Sequence, residues 1–143
     1  MSSIYLDNAA TTQVRDEVID TMASVLKSNY GNASSTHGFG RSSKSIIESC
    51  RKRIASHFNV LASEIVFTSG GTEADNMAIM CGIHDHNITH AITSKLSHHA
   101  VLYPLQDLEK LKVIKLSYVD VDENGVVCLN HLKELLKNNT RTF

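Results

Sequence analysis

Apolar positions along this chain switch repeatedly between helical and strand-like spacing. Val14, Val18, Met22 and Val25 recur on one helix face, with Thr11 or Thr12 as the expected cap. Residues 28–38 then lose all periodicity and are rich in Ser, Asn and Gly, which predicts a long irregular loop. Ile47, Cys50, Ile54 and Phe58 define a second helix whose other face carries Lys44, Arg51, Lys52 and Arg53 as a solvated basic cluster. Residues 64–68 (Glu-Ile-Val-Phe-Thr) read as a strand, and Ala74, Met77 and Cys81 behind them as the apolar stripe of a third helix. A strand at 90–93, a helix at 98–110, a strand at 113–116 and a short helix through Leu129, Leu132, Leu135 and Leu136 follow. Thr140 to Phe143 reads as the opening of a further strand. Pro104, the only proline, is expensive inside a helix, so that helix is expected to start late or to kink.

Strand alternating with helix is the pattern of an α/β fold, a mostly parallel, partly mixed sheet flanked by helices. Ligands of such sheets sit beyond the carboxyl ends of the strands. At 143 residues the chain has the length of one domain. Lys and Arg number 14 against 15 Asp and Glu, a net charge of -1, which gives no footprint for nucleic acid or an anionic membrane. The apolar runs are far shorter than the roughly 20 residues of a membrane span, and no signal-peptide core opens the chain, so a cytoplasmic protein is expected. Cys50, Cys81 and Cys128 are widely spaced with no paired motif, and Cys50 and Cys81 are expected as small core hydrophobes.

No metal site is expected. Asp120, Asp122, Asn124 and Gly125 match the first half of a calcium loop, but the position that needs a bidentate Glu holds His131, so a polar turn is the better reading. His84, His86 and His90 lack a carboxylate or thiolate partner at a recognised interval and read as surface histidines near a helix end.

The densest chemistry is the run Ser69-Gly70-Gly71-Thr72-Glu73-Ala74-Asp75-Asn76 behind the 64–68 strand. Two glycines permit close backbone approach, and a helix beginning here would aim its unpaired N–H groups and the Thr72 hydroxyl at an anion. A phosphate ester is the natural ligand; the plain alternative is a tight connection with Thr72 as an N-cap. Neither nucleotide fingerprint, G-x-x-x-x-G-K-[ST] or G-x-G-x-x-G, is present. Ser94-Lys95-Leu96-Ser97-His98-His99 follows the next strand at the same rim, where a histidine would stack on an aromatic ligand, transfer protons, or simply be a surface residue.

Four blocks occur in an order that resembles one family. They are Tyr5-Leu6-Asp7-Asn8-Ala9-Ala10-Thr11-Thr12; Tyr30-Gly31-Asn32 through Ser34, Ser35, His37, Gly40 and Arg41; Thr68 to Asn76; and His98 with Ala100-Val101-Leu102. The chain resembles, from end to end, the cysteine desulfurases of the NifS/IscS-like group, class V aminotransferase-like enzymes of the branch serving iron–sulfur cluster assembly and nitrogenase maturation. The resemblance implies that residues 1–143 are the N-terminal segment of a large domain of the aminotransferase-like fold (fold type I), with residues 1–12 near the small domain at the active-site edge.

It implies pyridoxal 5'-phosphate as cofactor, its phosphate on Gly71 and Thr72 and its ring under the imidazole of His98, which also serves proton transfer. Asn8, Ala9 and Ala10, with the loop from Asn32 to His37, would lie on the substrate side. The implied reaction takes sulfur from L-cysteine, giving L-alanine and an enzyme persulfide for a sulfur-acceptor or scaffold protein, in a homodimer. A selenocysteine lyase or another class V enzyme is the alternative within the class, and a non-catalytic assembly module the alternative outside it. Ser97 stands where the family often has Glu, so no carboxylate acts there. The cofactor-anchoring lysine, the partners of the ring nitrogen and the substrate carboxylate, and the persulfide cysteine belong to a later part of such enzymes. Neither Lys95 nor Cys128 takes those roles, so this chain is expected not to turn over cysteine unaided.

Overall fold

Parallel strands cannot be joined by a tight turn and need a crossover, here supplied by a helix. The computed structural model describes residues 4–137 and 142–143. The chain divides into two compact units, Met1–Val66 and Phe67–Phe143.

The second unit contains α3 (Gly71–Asp85), β1 (His90–Ser94), α4 (His99–Lys110), β2 (Lys115–Val119) and α5 (Leu129–Lys137), and the first contains α1 (Asp16–Ser28), α2 (Gly38–Phe58) and one 3-10 turn at Ala62–Glu64. β1 and β2 pair in parallel, from His90 opposite Lys115 to Ser94 opposite Val119. The other edge of β1 is met by Thr142 and Phe143, whose N–H donates to the His90 carbonyl at 2.9 Å while Ile92 N–H donates to the Phe143 carbonyl at 3.0 Å. Thr140 and Arg141 lie outside the described residues. β1 is therefore flanked on both edges, with the chain reaching one neighbour through α4 and the other after α5. That reversal makes the carboxyl end of β1 a switch point, where α/β sheets bind ligands.

α3 and α4 pack together through Ile79, Ile83, Leu105 and Leu108, which join Ala91, Ile114 and Leu116 in one buried cluster. Burying each such side chain fully is worth roughly 1.5–3 kcal/mol. The inward stripe of α3 is thus Asn76, Ile79 and Ile83, and the expected stripe Ala74, Met77 and Cys81 is exposed. α3 is apolar around most of its circumference, so periodicity alone selects the wrong face. Cys50, Cys81 and Cys128 are all exposed, which corrects the expectation of core cysteines.

Further corrections concern edges and caps. Residues 64–68 form no strand: the 3-10 turn occupies their start and the remainder joins no sheet among the described residues. β2 begins at Lys115 rather than at 113, because Val113 N–H closes the end of α4 on the Leu108 carbonyl. α1 starts after Arg15, whose side chain makes no cap, so Val14 precedes the helix and neither threonine caps it. In α2 the buried residues are Gly40, Ser43 and Ala55, while Ile47, Cys50, Ile54 and Phe58 are exposed. At the start of α2 the approach is close: a Cβ on Gly40 would meet the Ser35 carbonyl at 2.3 Å and that of Asn32 at 2.6 Å, so the irregular loop before α2 covers that end. Arg51 leaves the solvated basic face, donating to the Ile65 carbonyl and to Glu48 at 3.3 Å.

His90 is no surface histidine. It is buried, with Nδ1 3.0 Å from Thr142 Oγ1 and Nε2 2.8 Å from Ser117 Oγ. Burial first, and the Lys115 charge second, push its pKa below the ordinary value of about 6.5. On acidification the unfolded chain therefore binds this proton first, so stability present above about pH 6.5 is lost as pH falls below it, until the lowered folded-state value is passed. Urea unfolding from pH 8 to 5 is expected to show that decline, with a smaller slope in His90→Asn. After α4, Lys112 is left-handed, with φ 58°. A side chain there costs about 1 kcal/mol, so Lys112→Gly is expected to raise unfolding free energy by roughly that amount in urea titration.

Candidate cofactor site

α3 precedes β1 and α4 follows it, so both helices run against the strand and both open at its carboxyl end. The α3 ladder begins with Ala74 N–H on the Gly70 carbonyl at 3.1 Å, leaving the N–H groups of Gly71, Thr72 and Glu73 outside it. Gly70 is extended, with φ 169°, and a Cβ on either Gly70 or Gly71 would meet no protein atom within 4 Å. Among the described residues, neither backbone conformation nor packing requires glycine at these two positions. What their bareness does provide is open access to the N–H groups at the helix start.

Glu73 folds back over this turn, accepting from Ser69 N–H at 2.6 Å and Ser69 Oγ at 2.7 Å. Those two donors hold its carboxyl below the usual range, so it is ionised at neutral pH. Its charge opposes an anion at the same end. That charge is exposed and therefore screened by water, while the N–H groups of Gly71 and Thr72 lie outside the α3 ladder.

His98 is the N-cap of α4. Its Nδ1 accepts from Ala100 N–H at 3.1 Å, which assigns the proton of the neutral ring to Nε2 and leaves the imidazole exposed. The loop carrying it is pinned by Ser97, whose Oγ is 3.0 Å from Thr93 Oγ1 and accepts from Ser94 N–H at 3.3 Å. Ser97 thus braces the rim.

Thr72 and His98 line one cavity of about 300 Å³, with Asn76, His99, Tyr103 and Asp107. The rings of His99 and Tyr103 stack at 4.7 Å and 9°, forming a flat wall. Thr72 and His98 thus line the same cavity, and Gly71 precedes Thr72 at the start of α3. Asn8, Ala9 and Ala10 belong to the first unit, where the Ala10 and Thr11 N–H groups both donate to the Asp7 carbonyl at 3.1 and 3.2 Å in an exposed turn. The loop before α2 is in that unit too, with His37 Nδ1 capping α2 through Gly40 N–H at 3.4 Å.

Asn76 is the residue that sequence reading passed over. Its Nδ2 donates to the Thr72 carbonyl at 2.8 Å and to the Ala100 carbonyl at 3.3 Å, joining the two helix starts. Pro104 supplies the reason. α4 does not start late but begins at His99 and runs through Pro104, and a proline has no N–H for the carbonyl four residues back, which is Ala100. The one signal was a polar residue in register with Ile79 and Ile83.

The remaining candidates behave as ordinary structure. Asp122 Oδ1 accepts from Asn124 N–H at 2.9 Å and Val126 N–H at 2.8 Å, closing the polar turn with left-handed Gly125, while His131 pairs with Asp120 at 2.9 Å. No cluster of potential metal ligands occurs among the described residues. Lys95 is an exposed residue of the rim loop.

Residues 4–143 match the Aminotransferase class-V family, and the chain belongs to it. Among individual relatives, it is 46% identical over 140 residues to the cysteine desulfurase IscS of Dictyoglomus turgidum, covering 96% of this chain and 35% of the relative. It is 42% identical over 142 residues to the putative cysteine desulfurase IscS 1 of Bacillus subtilis, covering 98% and 37%. In three dimensions it resembles a NifS-like protein with a TM-score of 0.84 and 36% identity, over 95% of this chain and 37% of that one. A structure described as SspA in complex with cysteine matches with a TM-score of 0.82 and 28% identity, over 94% and 39%. The chain thus spans little more than a third of the relatives' length.

The bare backbone at the start of α3 has a measurable consequence. Gly71→Ala is expected to leave stability unchanged or raise it by up to about 1 kcal/mol, because alanine is the better helix former and its methyl meets nothing. Equilibrium urea unfolding checks this.

Proposed function

We propose that this chain is the N-terminal, cofactor-binding part of a cysteine desulfurase that uses pyridoxal 5'-phosphate, with residues 1–12 at the active-site edge of its large domain. The observation that carries the reading is the shared cavity in which Thr72, at the start of α3, faces the same space as His98, at the start of α4. The bare Gly70-Gly71 backbone fits a phosphate, since nothing among the described residues asks for glycine there. Gly71 N–H, Thr72 N–H and Thr72 Oγ1 would hold the phosphate, and the α3 dipole would favour its charge. His98, held at Nδ1 by Ala100, offers a ring face to an aromatic ligand and carries an exchangeable proton at Nε2. When bound, the cofactor supplies an electron sink for amino-acid chemistry, and the protein supplies orientation.

The substrate proposed is L-cysteine, consistent with the naming of the relatives and with the cysteine in the SspA structure. Sulfur leaves as a persulfide, with L-alanine as product, for an acceptor in iron–sulfur cluster assembly. Asn8, Ala9 and Ala10 are proposed on the substrate side, and the working enzyme as a cytoplasmic homodimer; no described helix is long and apolar enough to cross a membrane. The lysine anchor and the sulfur-carrying cysteine are proposed to lie outside these 143 residues.

Titration of the purified chain with pyridoxal 5'-phosphate and with pyridoxal, read by ligand fluorescence, tests this. The phosphorylated form is expected to bind reversibly and in preference, with inorganic phosphate competing. Thr72→Val and His98→Ala are each expected to weaken it about tenfold, the worth of one good polar or stacking contact. Equal affinity for both forms, unchanged by Thr72→Val, would overturn the phosphate assignment. Sulfide release from cysteine by the chain would overturn the placement of the covalent groups outside it.

A further inference from the structure

We propose that Asn76 is a positioning residue that sets Thr72 and His98 in register by spanning α3 and α4, a role that Pro104 makes available and that rests on the cofactor reading above. A proline well inside a helix leaves the carbonyl four residues earlier without its helical partner. In α4 that carbonyl belongs to Ala100, a buried residue whose own N–H holds the His98 ring. An unpaired carbonyl at such a place is costly, so a donor must reach it from outside the helix. Asn76 Nδ2 does so at 3.3 Å and at the same time reaches the Thr72 carbonyl at 2.8 Å, one turn back along α3.

The consequence is geometric. Residue 100 fixes the imidazole through its N–H and is itself fixed through its C=O, so the ring's position is tied to the α3 turn that carries the Thr72 donors. Apolar packing between α3 and α4 resists separation but permits small sliding and rotation. A two-pronged amide does not. Asn76 therefore converts helix contact into a defined spacing between the proposed phosphate donors and the proposed ring cover.

Satisfying a carbonyl and positioning two helices are separable. Pro104→Ala returns an N–H to α4, so the Ala100 carbonyl regains its ordinary helical bond whether or not Asn76 is present. The comparison is between P104A and N76L/P104A, with N76L alone as the case in which the carbonyl is orphaned. N76L is expected to melt at lower temperature, and N76L/P104A to recover the melting temperature of P104A. Affinity for pyridoxal 5'-phosphate is expected to stay about tenfold weaker in N76L/P104A than in P104A. Residual dipolar couplings of the ligand-free chain are expected to show a changed angle between α3 and α4 in N76L/P104A relative to P104A.

Recovery of P104A affinity by the double variant would mean that Asn76 merely pairs a carbonyl, and the proposal falls. If N76L does not fold, the double variant carries the comparison. Should neither the unaltered chain nor P104A prefer pyridoxal 5'-phosphate to pyridoxal, the cofactor reading has failed. The helix angle then decides the positioning role alone: a change supports it and an unchanged angle overturns it.

Discussion

The parallel pairing of β1 with β2 is the constraint on which the second unit depends. Because parallel neighbours require a crossover, α4 must leave the carboxyl end of β1 and return along the sheet. α3, which enters β1 from its amino end, necessarily runs the same way as α4. Two helix N-termini are thereby delivered to one rim without any residue there having to force them together. Ile79, Ile83, Leu105 and Leu108 then hold the helices side by side, and the cavity between their starts is a by-product of topology and core packing. The chemistry at that rim is added by a handful of residues that contribute little to the core.

The polar groups at the rim are unevenly constrained. Ser97, Asn76 and Glu73 each make two hydrogen bonds that shape backbone. Thr72 and His98 are exposed, and their outward groups are left for a ligand. Rigid supports beneath free functional groups are what preorganisation requires, since a ligand then meets donors already in place and orders few side chains on binding.

Much of this site was legible in the chain. The Gly70-Gly71-Thr72 turn and His98 could be placed at one rim from strand and helix alternation alone, because position after a strand is a local property. The misreadings share a physical cause. Ala74, Met77 and Cys81 form as good a helical stripe as Ile79 and Ile83, and only the β-sheet beneath decides between them. Residues 64–68 have the composition of a strand, but a strand exists only when another segment pairs with it. His90 looked like one of several surface histidines, and its burial depends on Thr142 and Ser117, which sequence distance conceals. The partnership of Asn76 with the carbonyl freed by Pro104 is invisible for the same reason. A proline announces that a carbonyl is left over, not who will take it.

The lack of any steric demand for glycine at Gly70 and Gly71 carries an evolutionary reading. Most glycines are guarded by the fold, because a side chain there clashes or strains the backbone, and a damaged protein is quickly removed. These two have no such guardian in the described residues. A methyl group on either would meet nothing among the described residues, so under the proposed cofactor role selection acts on them through the phosphate. A lineage released from the need for the proposed cofactor would drift here early and silently, keeping its architecture while its chemistry lapsed.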